Sequence, residues 1–346
     1  MNLNEMQPLL IIRADAGPNM GTGHVMRCIG LAQAWESMGG KAEFACTGAP
    51  LGRLAEEGLP VNAIRSLRGS MDDAHETAAL LKSKQAVWAA LDGYHFTAEF
   101  QKLLMDQGVK TLVVDDNQDC RFYHANIVVN PNLHAREKMF CDREVHTRLL
   151  LGPKYAFLRK EFWESSKIQR RPPQKAANML ITLGGADPHN TTLKAIRAVK
   201  LNTGFNLHAK VLVGQSNPHI QSLEEEVKDA PGVELIRDAK NMAELMAWAD
   251  FAVSAAGSTC WEMAASGLPG IYIVLADNQK NIAAELHDKG AGVNLGWRAG
   301  VTKFTIWGTI KHLMESKDRL EKMSKAGPAI TDGLGAKRTV NIMMEK

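Results

Sequence analysis

Gly21-Thr22-Gly23-His24-Val25-Met26-Arg27 stands where one sequence pattern stops and another starts. Before it lies an apolar run, Pro8-Leu9-Leu10-Ile11-Ile12, that reads as a buried strand. After it Met26, Ile29, Leu31 and Trp35 recur at roughly helical spacing. A glycine-rich turn from strand end to helix start is where open α/β sheets bind ligands, because the helix N-terminus presents unpaired backbone N–H groups. His24 stands at the mouth of this turn, with Arg27 three residues on. Imidazole is the side chain best suited to move a proton near neutral pH, and the positive end of a helix favours its neutral form. The same residues also fit a plain helix cap, and spacing does not choose between the two. Arg27 has two readings as well: a ligand for carboxylate or phosphate, or a partner for Asp15 at the strand end.

Outward from this turn, strands and helices alternate. Strands are predicted at Leu9–Arg13, Ala42–Cys46, Ala86–Leu91, Thr111–Asp115 and Ile127–Asn130, with helices between them at Gly23–Met38 and Phe96–Gln107. This alternation argues for a parallel sheet with crossover helices. The pattern breaks at Gln169-Arg170-Arg171-Pro172-Pro173-Gln174, which reads as a linker. A second series follows, with strands at Asn178–Leu183, Ala209–Val213, Val233–Ile236, Phe251–Ala255 and Gly270–Val274. Its helices are predicted near His219–Lys228, Asn241–Trp248, Ser258–Ala265 and Asn278–Lys289. The expected domains are residues 1–168 and 175–330, with a tail at 331–346. Two such domains facing each other would make a cleft walled by strand carboxyl ends.

Five further strand ends carry polar loops. Ser254-Ala255-Ala256-Gly257-Ser258-Thr259 followed by Glu262 offers small residues, hydroxyls and N–H groups for a diphosphate, and a carboxylate for ribose hydroxyls. Ser-Thr-x-x-Glu is equally a capping box. Gly184-Gly185-Ala186-Asp187-Pro188 occupies the corresponding place after another strand, with Asp187 or Asn190 as a possible plain cap. Asn278 and Gln279 are uncharged hydrogen-bonders suited to sugar hydroxyls and amides, though Asp277 or Asn278 serves equally as a cap. Asp92-Gly93-Tyr94 closes a first-domain strand, and its Tyr94 fits either a ligand contact or rim packing. The Asp115-Asp116 pair is read as a helix cap rather than a metal site.

Composition narrows the function classes. The 346 residues are 45% hydrophobic and 23% charged with a net charge of +3, which fits a globular protein and argues against nucleic-acid binding. Signal-peptide and membrane-spanning patterns are not found. The five cysteines, Cys28, Cys46, Cys120, Cys141 and Cys260, form no metal-ligand spacing. A cytoplasmic protein without metal or other cofactor is expected.

Taken together and in order, Arg13-x-Asp15, Gly21-Thr22-Gly23-His24-x-x-Arg27-Cys28, Asp92-Gly93-Tyr94, Val114-Asp115-Asp116, Val128-Val129-Asn130-Pro131 and Leu151-Gly152-Pro153-Lys154-Tyr155 resemble a known family. The likeness continues through Thr182-Leu183-Gly184-Gly185-x-Asp187-Pro188, Gly257-Ser258-Thr259-x-Trp261-Glu262 and Ala276-Asp277-Asn278-Gln279. The family is the UDP-2,4-diacetamido-2,4,6-trideoxy-β-L-altropyranose hydrolases of pseudaminic acid biosynthesis (PseG), often linked to flagellin glycosylation. The resemblance implies a GT-B fold, similar to the N-acetylglucosaminyltransferase of peptidoglycan synthesis, with two Rossmann-like domains. It implies His24 as catalytic residue, and Gly23, Arg27, Tyr94, Asn278 and Gln279 around the sugar. It implies Gly184, Gly185, Ile236, Arg237, Gly257, Ser258, Thr259 and Glu262 around UDP, a metal-independent reaction, a tail that returns to the first domain, and other enzymes of the same pathway as partners. Ala256 stands where many relatives carry glycine, and Gly93 where a bulkier or polar residue is frequent.

Overall fold

The computed structural model describes residues 7–17, 20–48, 52–168, 170–237 and 239–345. They form two compact units, one from the described residues of Met1–Lys160 and Leu334–Lys346, the other from those of Glu161–Gly333.

The first unit is built on β1 (Leu9–Ala14), β2 (Lys41–Thr47), β3 (Val61–Ile64), β4 (Trp88–Asp92), β5 (Lys110–Val114), β6 (Ile127–Asn130) and β7 (Arg148–Leu151). They pair in the order β3-β2-β1-β4-β5-β6-β7, every neighbour parallel. Parallel strands need crossovers, which α1 (Gly23–Ser37), α2 (Gly52–Glu56), α3 (Met71–Ser83) and α4 (Ala98–Asp106) help supply. Strands β4 and β6 are buried along their whole length, as a sheet covered on both faces requires.

The second unit repeats the plan with β8 (Asn178–Thr182), β9 (His208–Val213), β10 (Val233–Arg237), β11 (Phe251–Ala255), β12 (Gly270–Val274) and β13 (Gly292–Trp297). Their order is β10-β9-β8-β11-β12-β13, again all parallel. Its helices are α5 (Thr191–Val199), α6 (Ile220–Lys228), α7 (Met242–Trp248), α8 (Thr259–Ala265), α9 (Gln279–Asp288), α10 (Lys303–Met314) and α11 (Lys317–Ile330). The stretch read as a linker belongs to this unit, except that Gln169 lies outside the described residues. The Arg170 guanidinium donates to the carbonyls of Met246, Ala249 and Ser266. The last helix, α12 (Gly335–Met344), belongs to the first unit. The Trp88 indole donates to Met343 O at 3.1 Å, and Arg338 to Lys154 O at 2.9 Å.

In each sheet the chain order reverses once, between β1 and β4 and between β8 and β11. Ligands of open α/β sheets bind outside the carboxyl ends at that reversal. The loops that leave β4, β8 and β11 lead to Tyr94, Gly184-Gly185 and Gly257–Thr259, and the helix that follows β1 carries His24 in its first turn.

Candidate active site

His24 lies in the first turn of α1 and is 6% exposed. It does not cap the helix: its Nδ1 meets Asp92 Oδ1 at 2.7 Å, across the reversal point at the end of β4. A carboxylate only accepts, so Nδ1 carries a proton toward Asp92, and in the neutral tautomer this selects, the lone pair is on Nε2. Arg27 Nη2 also lies 3.2 Å from Nδ1, but a second donor there cannot share an atom already protonated toward the closer carboxylate. The helical period places Arg27 on the same face as His24. Its Nε and Nη2 donate to the two Asp92 oxygens, each at 2.6 Å, and its Nη1 donates to Asp116 Oδ2 at 2.5 Å. The Cys28 thiol donates to Asp92 Oδ2 at 3.2 Å.

These bonds correct one expectation. Arg27 does not pair with Asp15, because its guanidinium is already spent on Asp92 and Asp116. Its side chain is 10% exposed and is held by these two carboxylates. Asp15 pairs instead with Arg13 at 2.7 Å, Arg68 at 3.0 Å and His95 at 3.3 Å. The adjacent carboxylates part company too. Asp115 accepts from the Asn117 and Gln118 backbone and from the Tyr123 hydroxyl, while Asp116 faces Arg27. Among the described residues, no group of three or more His, Cys, Asp and Glu side chains is placed to hold a metal ion.

Tyr94 is 43% exposed, and its ring meets His24 edge-on, centroids 4.9 Å apart at 82°. Burial of its hydroxyl, then the Asp116 charge, push the phenol above its ordinary value, so it stays protonated at neutral pH. Gly93 is glycine for a local reason: a Cβ there would sit 2.7 Å from His95 Cε1.

Burial works to raise Asp92, but the Arg27 charge and then His24 outweigh it and hold the carboxyl below the usual range. Asp15 is likewise held low against burial, by the His95 hydrogen bond and then the Arg13 charge. A carboxyl lowered by folding stabilises fully above its unfolded value and loses that contribution as pH falls through its folded value. The urea midpoint is therefore expected to be flat above about pH 5 and to drop below about pH 4, the unfolded carboxylate value. A midpoint constant through that acid range would show that these pairs contribute nothing.

In the second unit, Gly184 leaves β8 with φ +88°, a left-handed turn that L side chains rarely adopt. Asp187, 3% exposed, accepts from Thr191 N at 2.9 Å and from Thr192 N and Oγ1 at 2.7 Å each. It caps α5; Asn190 makes no side-chain cap bond. Asp187→Ala is expected to cost about 0.5–2 kcal/mol, the usual loss of a helix cap, read from denaturant unfolding. At the other loop, Ser258 makes no side-chain cap bond to α8, so the capping-box reading does not hold for it. Glu262 is half-buried one turn in. Gln279 accepts from Leu275 N at 2.9 Å through Oε1, and its Nε2 lies 3.7 Å from where a Gly257 Cβ would stand. The structure thus brings Gln279 against Gly257. Asn278 and Arg237 are exposed, and Ile236 is half-buried at the end of β10. Asp238, between Arg237 and the start of α7, lies outside the described residues.

Sequence reasoning missed the roles of Asp92 and Asp116. A signal existed for the first: Asp92 ends the apolar run that becomes β4, the partner strand of β1.

Two parallel-sheet α/β units of this strand order define a protein of the GT-B fold, and solved structures agree. MurG from Acinetobacter baumannii superposes with a TM-score of 0.67 at 17% identity, covering 98% of this chain and 100% of its own. MnaA from S. aureus, solved with UDP, gives 0.65 at 12% identity, covering 97% and 96%. More particularly, residues 178–337 match the glycosyltransferase family 28 C-terminal domain. Along nearly its full length the chain is also similar to the spore coat polysaccharide biosynthesis protein SpsG of Bacillus subtilis (strain 168), 24% identical over 336 residues, 96% of this chain and 97% of SpsG. No described helix is long and apolar enough to cross a membrane.

Proposed function

We propose that the chain cleaves a UDP-linked sugar at the anomeric carbon, with water as nucleophile. The observation that carries this reading is the buried His24–Asp92 pair at the reversal point of the first sheet. Water attacks C1, its proton passes to His24 Nε2, and the C1–O bond breaks with its electron pair leaving on UDP. A positioned general base contributes roughly 10²–10⁴-fold. Backbone N–H groups at the start of α8 face the growing charge on the leaving diphosphate, with no cation required. Gly184, Gly185, Ile236, Arg237, Gly257, Ser258 and Thr259 hold UDP, and Glu262 takes the ribose hydroxyls. Gly23, Tyr94, Asn278 and Gln279 face the sugar, and Arg27 fixes Asp92. The substrate the motifs favour is UDP-2,4-diacetamido-2,4,6-trideoxy-β-L-altropyranose, with its free sugar and UDP as products in pseudaminic acid biosynthesis, a cytoplasmic step.

A second reading is a transferase that uses the same donor, supported by the family match of residues 178–337. The test is to incubate the purified protein with the UDP-sugar alone and follow UDP and free sugar. Release without acceptor supports hydrolysis, and release only with an added sugar or lipid acceptor supports transfer. Tight binding with no turnover in any mixture points to a nucleotide-sugar-binding protein instead. Glu262→Ala is expected to weaken UDP binding by about 1–3 kcal/mol, because ribose hydroxyls are left unpaired. Unchanged affinity by calorimetry removes Glu262 from the site.

A further inference from the structure

One charge near His24 has no counterpart. Asp92 is fully occupied: Oδ1 faces His24 Nδ1 and Arg27 Nη2, and Oδ2 accepts from Arg27 Nε and the Cys28 thiol. Asp116 is only half occupied. Its Oδ2 accepts from Arg27 Nη1, while its Oδ1 is buried with no hydrogen-bond partner among the described residues. The carboxylate is held in this place by the fold. The β4–β5 register sets Asp92 against Val114, and Asp116 stands two residues further on. The buried Asn132 side chain fixes it there by donating to its backbone carbonyl at 2.8 Å. Its neighbour Asp115 is satisfied by Tyr123 and two backbone donors, and stays out of the cluster.

The other titratable groups are neutral. Burial, then the Asp92 charge, push the Cys28 thiol well above its ordinary value, and Tyr94 keeps its proton as well. The charged groups facing the His24 site are therefore Arg27 from α1, Asp92 from β4 and Asp116 from the loop after β5. With a neutral imidazole, two carboxylates stand against one guanidinium, an excess of one negative charge. An imidazolium makes the cluster neutral. Without Asp116, Arg27 would cancel Asp92, and the same proton would create a net positive charge in a buried site. Uncompensated buried charge is costly.

We propose that Asp116 is a positioning residue for the same reaction, acting through Arg27 to leave the site one positive charge short until the imidazole takes the proton of the attacking water. The inference rests on His24 being the base of the proposed reaction. The water oxygen bonds to C1, its proton goes to His24 Nε2, and the C1–O bond breaks with its electron pair leaving on UDP. Asp116 exchanges no proton in this step.

Two variants separate charge from shape. Asp116→Asn keeps the shape and removes the charge, and Asp116→Glu does the opposite. The asparagine variant is expected to lose roughly 10–10²-fold in kcat, part of what a general base contributes, with UDP affinity by calorimetry kept. The acid limb of its kcat/KM profile is expected to move about one pH unit lower, because losing a negative neighbour weakens proton binding by the base. The imidazole C–H resonances of His24, followed by NMR in substrate-free protein, are expected to move the same way. The glutamate variant is expected to recover most of the rate and a wild-type acid limb. A role in packing predicts the reverse order, with the isosteric amide tolerated and the longer acid not. An unchanged kcat and acid limb in Asp116→Asn, beside an inactive His24→Ala, overturns the part given to Asp116 and leaves the base standing. A lower kcat with the acid limb and the resonances unmoved, or a glutamate variant slower than the asparagine one, overturns it as well. A His24→Ala variant as fast as wild type overturns the proposed reaction and this inference together.

Discussion

His24→Ala is expected to cut turnover of the UDP-sugar by at least ~10²-fold, with UDP affinity near wild type. Asp92→Asn is expected to fall as far, by roughly 10²–10⁴-fold, although Asp92 is wholly buried. Asp92 acts by choosing the tautomer. As a carboxylate it accepts from Nδ1 at 2.7 Å and from Arg27 at two atoms, all at once. An amide offers one oxygen and one N–H₂. With its oxygen toward His24, the amide turns N–H groups at Arg27 Nε. With the groups exchanged, it donates to Nδ1, and the ring proton moves to Nε2, where the base must be. Either arrangement sets donor against donor inside a buried site. In the Ser-His-Asp triad, the analogous change costs about 10⁴ in kcat with the geometry intact. Steady-state kinetics beside UDP calorimetry separates the cases. A fall in kcat at constant UDP affinity supports the pair, whereas a wild-type kcat in either variant makes the imidazole a packing residue.

That pair also shows what the sequence could and could not reveal. The alternation of apolar runs and glycine turns was enough for two parallel sheets, because central strands such as β4, β6, β11 and β12 are buried end to end and read as unbroken hydrophobic segments. Strands β3, β7 and β13 were missed. All three lie at sheet edges. Val61–Ile64 has one buried residue and is interrupted by Asn62, and Gly292–Trp297 has one buried residue, the rest half-buried, and is interrupted by Asn294 and Gly296. For His24 the sequence left two readings, proton carrier and helix cap, and the structure removes the second by setting Nδ1 against Asp92. Its partner was not legible, because Asp92 is 68 residues away, and only the β1–β4 register brings the two together. The Asp15 pairing offered for Arg27 failed for the same reason. Asp15 is nearer in sequence, but it follows β1 and faces Arg13, while α1 turns Arg27 toward β4 and β5. Periodicity gives the face a residue occupies; it does not give the strand it faces.

Arg13→Met is expected to cost the first unit about 3–5 kcal/mol, the loss typical when one partner of a buried ion pair is removed. The Arg13 side chain is wholly buried, and so are both carboxylates it serves. Its Nη1 lies 2.7 Å from Asp15 Oδ1, Nη2 lies 2.8 Å from Asp73 Oδ2, and Nε donates to Asp73 Oδ1 at 3.2 Å. Methionine fills much of the volume but leaves two anions in the interior. Asp15 would keep Arg68 and the Thr47 backbone N–H, and Asp73 would keep Gly69 N and the Thr77 hydroxyl. Those bonds hold the loops after β2 and β3 in place, yet only Arg68 among them brings a full charge. Arg13→Lys should lose less, since it keeps the charge while giving up the bidentate fork to Asp73. At about 2–4 °C per kcal/mol for a unit of this size, the methionine variant would melt roughly 6–20 °C lower at neutral pH. The deficit should shrink on acidification, because protonating an orphaned carboxyl removes the buried charge that makes the substitution costly. Calorimetric melting at neutral and acid pH tests both parts. A methionine variant as stable as wild type at neutral pH would mean that Arg68, His95 and the backbone donors neutralise this interior by themselves, and that Arg13 adds packing alone.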